Sequence, residues 1–209
     1  MKIAVVCANG NSGRLIVEEA LARGIDVTAA VRGENRSAAP KAIVKDLMDL
    51  TAEDLAGFDA VVDAFAAWTP ETLDQHSSSL KHLCDILSGT KTRLLVVGGA
   101  GSLYLDPSHT ARLCDAPNFP DMFKPLAAAM GRALDELRAR ADVQWTYVSP
   151  AGDFQRDGEK TGEYILAGEE LTLNSRGETV ISYADYAVAM VDEIVSGSHI
   201  QQRISVVRK

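Results

Sequence analysis

Apolar residues along this chain fall into short unbroken runs that alternate with stretches of helical period. Ile3 to Val6 has no polar position, the pattern of a strand buried on both faces. From Ser12 the period lengthens, with Leu15, Ile16, Ala20 and Leu21 on one helical face and Gly24 at its end. Asp26–Val31 reads as a second strand, Lys41–Val44 as a weaker third, and Thr51 with Asp54 as a capping pair opening a short helix. Asp59–Phe65 is a fourth strand, and the helix after it sets Leu73, Leu80, Leu83 and Leu87 on one side. Arg93–Val97 is the fifth strand. Residues 99–122 then hold Gly, Pro, Asp and Ser without a period, a loop length that compact domains keep for function or mobility. A helix is predicted from about Pro125 to Arg140 and a strand at Val143–Val148. Residues 152–182 read as a loop with a small β excursion, in which Leu171–Leu173 and Thr179–Ser182 flank an Asn174–Gly177 turn. Tyr183–Val195 is helical and Arg203–Val207 a last strand.

This alternation predicts an α/β fold: one doubly wound, mainly parallel sheet over residues 1–209, with right-handed crossovers and a small C-terminal β excursion on the substrate side. Composition narrows the partners. A net charge of -8 leaves no basic face to neutralise nucleic-acid phosphates or to meet an anionic membrane, so neither partner is expected. Cys7, Cys84 and Cys114 are widely spaced and suit a reducing compartment. The N-terminus enters a strand directly, without the apolar core of a signal peptide, and no run approaches the length of a membrane span. A soluble cytoplasmic protein, monomer or homodimer, is expected.

The chemistry begins where the first strand ends. Cys7-Ala8-Asn9-Gly10-Asn11-Ser12-Gly13 lies between a strand and a helix at the head of the alternation. A dinucleotide pyrophosphate needs backbone N–H donors, and a helix N-terminus supplies free ones together with a favourable dipole. Gly10 would let the backbone approach the phosphate, and Gly13 would let the helix pack closely on the strand. Glycine spacing alone is a weak signal; its place between strand and helix strengthens it. Cys7 stands where the first of the usual three glycines would be, and without a partner base it reads as a small buried residue. After the second strand come Arg32 and Arg36, where an NAD-specific site would carry Asp or Glu. Two guanidiniums suit a 2′-phosphate, which favours NADP(H) over NAD(H); the bland alternative is a pair of solvated arginines. Asp46 and Leu47, after the third strand, are placed toward the adenine, and Ala64 and Phe65, after the fourth, along the cofactor's path.

With these residues the chain resembles an atypical short-chain dehydrogenase/reductase of Rossmann fold, in the flavin reductase/biliverdin-IXβ reductase-like group. The likeness rests on Ala8–Gly13, on Val31-Arg32 with Arg36, and on the runs Val96–Tyr104, Trp145–Gly152 and Ile181–Tyr186. It implies a nicotinamide near Gly98, Gly99 and Ala100 and near Pro150, Ala151 and Gly152, with substrate under the long loop.

Classical members of that superfamily use a Tyr-x-x-x-Lys pair, in which the lysine lowers the tyrosine pKa. Four positions after the five tyrosines stand Ser108, Ala151, Gly168, Ala187 and Met190, none of them lysine. Alcohol–ketone chemistry is therefore disfavoured, and with it a sugar-nucleotide epimerase or dehydratase. Hydride transfer to a flavin, quinone or tetrapyrrole demands mainly proximity and orientation. The expected activity is thus an NAD(P)H-dependent reductase, with flavin as a substrate rather than a resident cofactor. A non-catalytic NAD(P)-binding redox sensor is the alternative. Ser102 and Tyr104 are the candidate polar contacts to the acceptor, unless they are loop-capping hydroxyls. Trp68 and Phe154 could form a flat apolar wall for an aromatic small molecule, and Lys124 could approach the nicotinamide ribose. No His, Cys or acidic cluster has metal-ligand spacing, and no GxSxG nucleophile is present.

Overall fold

The structure, a computed structural model, describes residues 1–209. In chain order the elements are β1 (Lys2–Val6), α1 (Asn11–Ala22), β2 (Asp26–Val31), β3 (Lys41–Val44), β4 (Ala60–Asp63), α2 (Gln75–Leu87) and β5 (Arg93–Val97). They continue with α3 (Lys124–Arg138), β6 (Gln144–Ser149), β7 (Asp153–Gln155), β8 (Tyr164–Ala167), β9 (Val180–Ser182), α4 (Tyr183–Ser196) and β10 (Gln202–Arg208). Eight strands form one sheet in the order β3-β2-β1-β4-β5-β6-β10-β8, while β7 and β9 make a small pair of their own. Every neighbouring pair in the large sheet is parallel except β10 with β8.

A strand covered on both faces alternates between two cores, and the apolar runs do so. Ile3, Val5, Val27, Ala29, Val62 and Leu95 pack beneath α1 and α4. Ala4, Val6, Val61, Leu94, Val96, Trp145 and Tyr147 pack beneath α2 and α3 on the other side. The chain runs outward from β1 to β2 and β3, then returns to lay β4 on the opposite side of β1. That reversal opens a crevice beyond the carboxyl ends of β1 and β4, where doubly wound sheets bind ligands. Val6 of β1 lies level with Ala30 of β2 and Asp63 of β4, so the turns after these three strands border the same crevice.

Two expected elements differ. Thr51 and Asp54 do form the reciprocal capping contact, with Thr51 N and Oγ1 both 2.9 Å from Asp54 Oδ2. They open only turns, because Gly57, at φ +77, swings the chain back toward β4. Leu171–Leu173 is not a strand. The Leu171 N–H donates to Tyr104 O (2.8 Å) instead, and the antiparallel edge of the sheet is supplied by β8. No helix is long and apolar enough to cross a membrane.

Candidate dinucleotide site

The turn after β1 is built by backbone geometry. Cys7 adopts φ +59, its N–H donates to Ala30 O (2.9 Å), and its carbonyl accepts from Gly10 N (2.9 Å). Gly10 then caps α1 in extended conformation without any side-chain cap. The next donors, on Asn11, Ser12 and Gly13, find no acceptor in the chain, and Gly10 and Asn11 are exposed. This is a free helix N-terminus of the kind that binds anions. Gly13 explains how the helix comes so close. A Cβ there would lie 2.7 Å from Cys7 O and 2.9 Å from Ala8 Cα. Gly10 is less confined, with Cys7 O at 3.2 Å. Ala8 is wholly buried and packs in the core beneath α1 and α4.

Asn9 has a role that the sequence did not suggest. Its Nδ2 donates to Glu34 O (2.9 Å) and its Oδ1 accepts from Arg36 N (2.7 Å). It ties the loop after β2 to the glycine turn and thereby sets the Arg36 backbone beside it. Arg32 is almost wholly solvent-exposed, with Nε only 4.0 Å from Asp46 Oδ2, so the guanidinium is free to meet an anion. Asp46 itself accepts from Met48 N (3.0 Å) and caps the short turn that buries Leu47. Arg14 was missed in the sequence. It is exposed on the first turn of α1, where the helix dipole ordinarily favours acidic residues, and that mismatch was the available signal.

The far end of the crevice is framed by glycines that distant residues impose. A Cβ on Gly98 would lie 2.2 Å from Tyr147 Cε1, and one on Gly99 would lie 2.9 Å from Met130 Sδ. The Gly99 peptide is held from both sides. Its N–H donates to Tyr147 Oη (3.2 Å) and its carbonyl accepts from Ser149 Oγ (2.9 Å). Tyr186 Oη donates to Val148 O (2.7 Å), whose carbonyl also accepts from Gly98 N (2.9 Å). Pro150 and Ala151 follow β6 as buried residues beside this platform. Ala64 N donates to Val6 O (3.2 Å), and Phe65 packs edge-on against His76.

The remaining expected residues separate. Ser102 is 5% exposed, and its Oγ and carbonyl both accept from Arg203 (3.3 Å each). Its hydroxyl is thus committed to the interior. Tyr104 is half-buried and stacks on His109 at 4.1 Å. Trp68 is 65% exposed, whereas Phe154 is packed between Tyr183 and Tyr186 and forms no wall with it. Lys124 Nζ pairs with Asp121 (2.7 Å) at the start of α3.

Burial sets the protonation of the groups beneath the crevice. The Cys7 thiol is pushed up to about 12, chiefly by burial and then by the nearby Asp63, so it is neither a thiolate nor a nucleophile at neutral pH. Asp63, at the end of β4, is raised by burial to about 6, and its Oδ1 accepts a hydrogen bond from Phe65 N (3.0 Å). It was not singled out from the sequence. The visible signal was one acid closing an otherwise apolar strand, Ala60-Val61-Val62-Asp63.

Taken together, the free donors, the glycine-limited approach and the arginines at the end of β2 fit a bound dinucleotide. The NAD(P)H-binding family model matches residues 7–195. The curated Bacillus subtilis protein YwnB, itself uncharacterised, is 42% identical, with 99% of this chain and 98% of that protein aligned. A Streptococcus pneumoniae protein of known structure, named as a candidate NADH-flavin reductase, is 57% identical over the whole of both chains at a TM-score of 0.98. A Lactobacillus casei protein is 29% identical, covers 100% of this chain and 99% of its own, and superposes at 0.89.

Proposed function

The chain belongs to the NAD(P)H-binding family, and on that premise we propose that it is a reductase that prefers NADP(H) and passes hydride to a flavin or a similar conjugated acceptor. The observation that carries the reaction is the near-complete structural likeness to the Streptococcus pneumoniae protein named for that chemistry. The preference for the phosphorylated cofactor rests on exposed Arg32 and on Arg36, held by Asn9.

The cofactor, when bound, supplies the hydride. The chain's residues do the rest by placement. Donors at Asn11–Gly13 hold the pyrophosphate, and the two arginines hold the 2′-phosphate. The platform of Gly98 and Gly99, braced by Tyr147 and Ser149, carries the nicotinamide, with Pro150 and Ala151 beside it. Exposed Trp68 offers a flat face for a conjugated ring, and Tyr104 remains the hydroxyl candidate on the acceptor side. A planar, electron-poor acceptor needs no Tyr–Lys pair for this step, because positioning is the main demand.

The test is a fluorescence titration of NADPH and NADH, with FMN and a quinone then supplied under anaerobic conditions and nicotinamide oxidation followed. Tighter NADPH binding with turnover of either acceptor is expected. Binding without turnover of any flavin or quinone would overturn the reductase reading in favour of a redox sensor.

A further inference from the structure

Asp63 lines a small pocket beneath the crevice, walled also by Phe65, His76, Val97, Met130 and Tyr147. The space is about 10 Å³, room for no more than about one water molecule, so the acceptor cannot enter it. Asp63 is 4% exposed, and of its two carboxyl oxygens Oδ1 is hydrogen-bonded, by Phe65 N. A buried carboxyl group with so little support is costly to retain as a purely structural feature, because burial disfavours its charge and one backbone N–H does not offset that.

Its walls are those of the platform above. Tyr147 bonds the Gly99 N–H, and the Met130 sulfur stands where a Gly99 side chain would be. Val97 leads directly into Gly98, and Phe65, Val97 and Met130 are themselves only half-buried. Asp63 therefore sits one layer below the peptides proposed to carry the nicotinamide. At that place a reduced ring is uncharged and an oxidised ring is cationic, which is the difference a nearby carboxyl group feels most strongly.

We propose that Asp63 couples the oxidation state of the bound nicotinamide to one proton, standing as a neutral acid beside the reduced ring and as a carboxylate beside the oxidised one. This rests on the reading that the nicotinamide lies at Gly98 and Gly99. Reduction of a two-electron acceptor then takes its hydride from the cofactor and its proton from solvent. The Asp63 proton leaves to solvent as the ring becomes cationic, the carboxylate balances the new positive charge, and the proton returns when a reduced cofactor replaces the oxidised one.

The other groups around Asp63 do not share this behaviour. From the turn after β1 it is faced by Cys7, from α2 by His76 and more distantly Cys84, and from β6 by Tyr147. Burial pushes both thiols and the phenol up to about 12 and lowers the His76 imidazole below its ordinary value. The charges of Arg32 and Asp46 act on Cys7 from the loops after β2 and β3.

The experiment measures the affinities of the whole chain for NADP+ and NADPH from pH 5 to 8, in the wild type and in Asp63→Asn. The 2′-phosphate titrates in both ligands and cancels in their ratio. In the wild type the affinity for NADP+ relative to NADPH should rise about tenfold across this range as Asp63 ionises. In Asp63→Asn, which can still accept the Phe65 N–H, the ratio should not move, and Asp63→Glu should restore part of the slope. A flat ratio in the wild type, or an unchanged slope in Asp63→Asn, overturns the proposal without recourse to any variant's activity. A sloping ratio with no flavin or quinone turnover would remove the reductase reading and leave Asp63 in its role. Failure of both dinucleotides to bind would overturn the two together.

Discussion

Replacing Gly13 by alanine sets two physical effects against each other, and the structure decides between them. Gly13 lies inside α1, where alanine is the better helix former by about 1 kcal/mol, so propensity alone predicts a more stable protein. The new Cβ would stand 2.7 Å from Cys7 O and 2.9 Å from Ala8 Cα. Both are backbone atoms in a turn fixed by the Cys7–Ala30 and Gly10–Cys7 hydrogen bonds, so neither can rotate away. An ordinary contact needs about 3.4 Å, so the start of α1 must move off β1 by roughly 0.7 Å, and Ile16, Val17 and Ala20 lose their fit to the core. Overpacking of this kind costs about 3 kcal/mol, at the upper end of its usual range because the obstacle is backbone. The net loss is about 2 kcal/mol, which lowers Tm by about 4–8 °C in a chain of this size. Dinucleotide affinity should fall with it, since the same movement displaces the N–H donors. Thermal unfolding by circular dichroism, with NADPH titration alongside, measures both. Gly10→Ala is the control, because its Cβ meets only one atom, at 3.2 Å, and it should keep Tm within about 2 °C. A Tm for Gly13→Ala at or above the wild-type value would refute the close-approach argument.

Other outcomes follow from charge and burial. Arg32→Ala should weaken NADPH by about tenfold while leaving NADH nearly unchanged, and equal losses in a fluorescence titration would remove Arg32 from the 2′-phosphate. Asp63 rises from 3.8 to about 6 on folding, so it is a carboxyl whose folded form holds its proton longer. Between those values the unfolded chain binds fewer protons, stability falls as pH rises, and the loss is complete above about 6. Asp63→Asn should therefore gain about 3 kcal/mol more relative to wild type at pH 7 than at pH 3.5 in urea titrations, and an equal difference at both would contradict the buried-acid assignment. Arg203 has a fully buried side chain on β10 that holds Ser102 and Glu169. Arg203→Met should cost about 3 kcal/mol and speed proteolysis within residues 99–122, because Glu169 is left with Arg138 alone and the long loop loses its anchor. Unaltered denaturant midpoint and cleavage rate would show that the loop is held elsewhere.

Much of the architecture was legible along the chain because the signals are local. Strands buried on both faces must be continuously apolar, as in Ile3–Val6 and Arg93–Val97, and helices must return an apolar face every third or fourth residue. The glycine turn was legible for the same reason, since strand, small residues and helix start lie within a dozen positions. Asn9 was read as part of that turn, but its clasp on Glu34 and Arg36 depends on where a loop 25 residues away comes to rest. Leu171–Leu173 carries a strand-like pattern, yet its backbone partner is Tyr104, and no local rule could supply that.

What the sequence determined by itself is the order of elements, the glycine turn and the arginines after β2. Tertiary structure alone decided which side chains share a space. Gly98 must be glycine because Tyr147, on the next strand, occupies its Cβ position. Ser102 is a support rather than a free hydroxyl because Arg203 reaches it from the last strand. Asp63 is an unusual acid only because β4 ends in a small, mostly apolar pocket that residues of α2, β5, α3 and β6 close around it. Propensity and period act through neighbours in the chain, whereas pKa, burial and close contact depend on neighbours in space, and those exist only once the sheet has closed over its two cores.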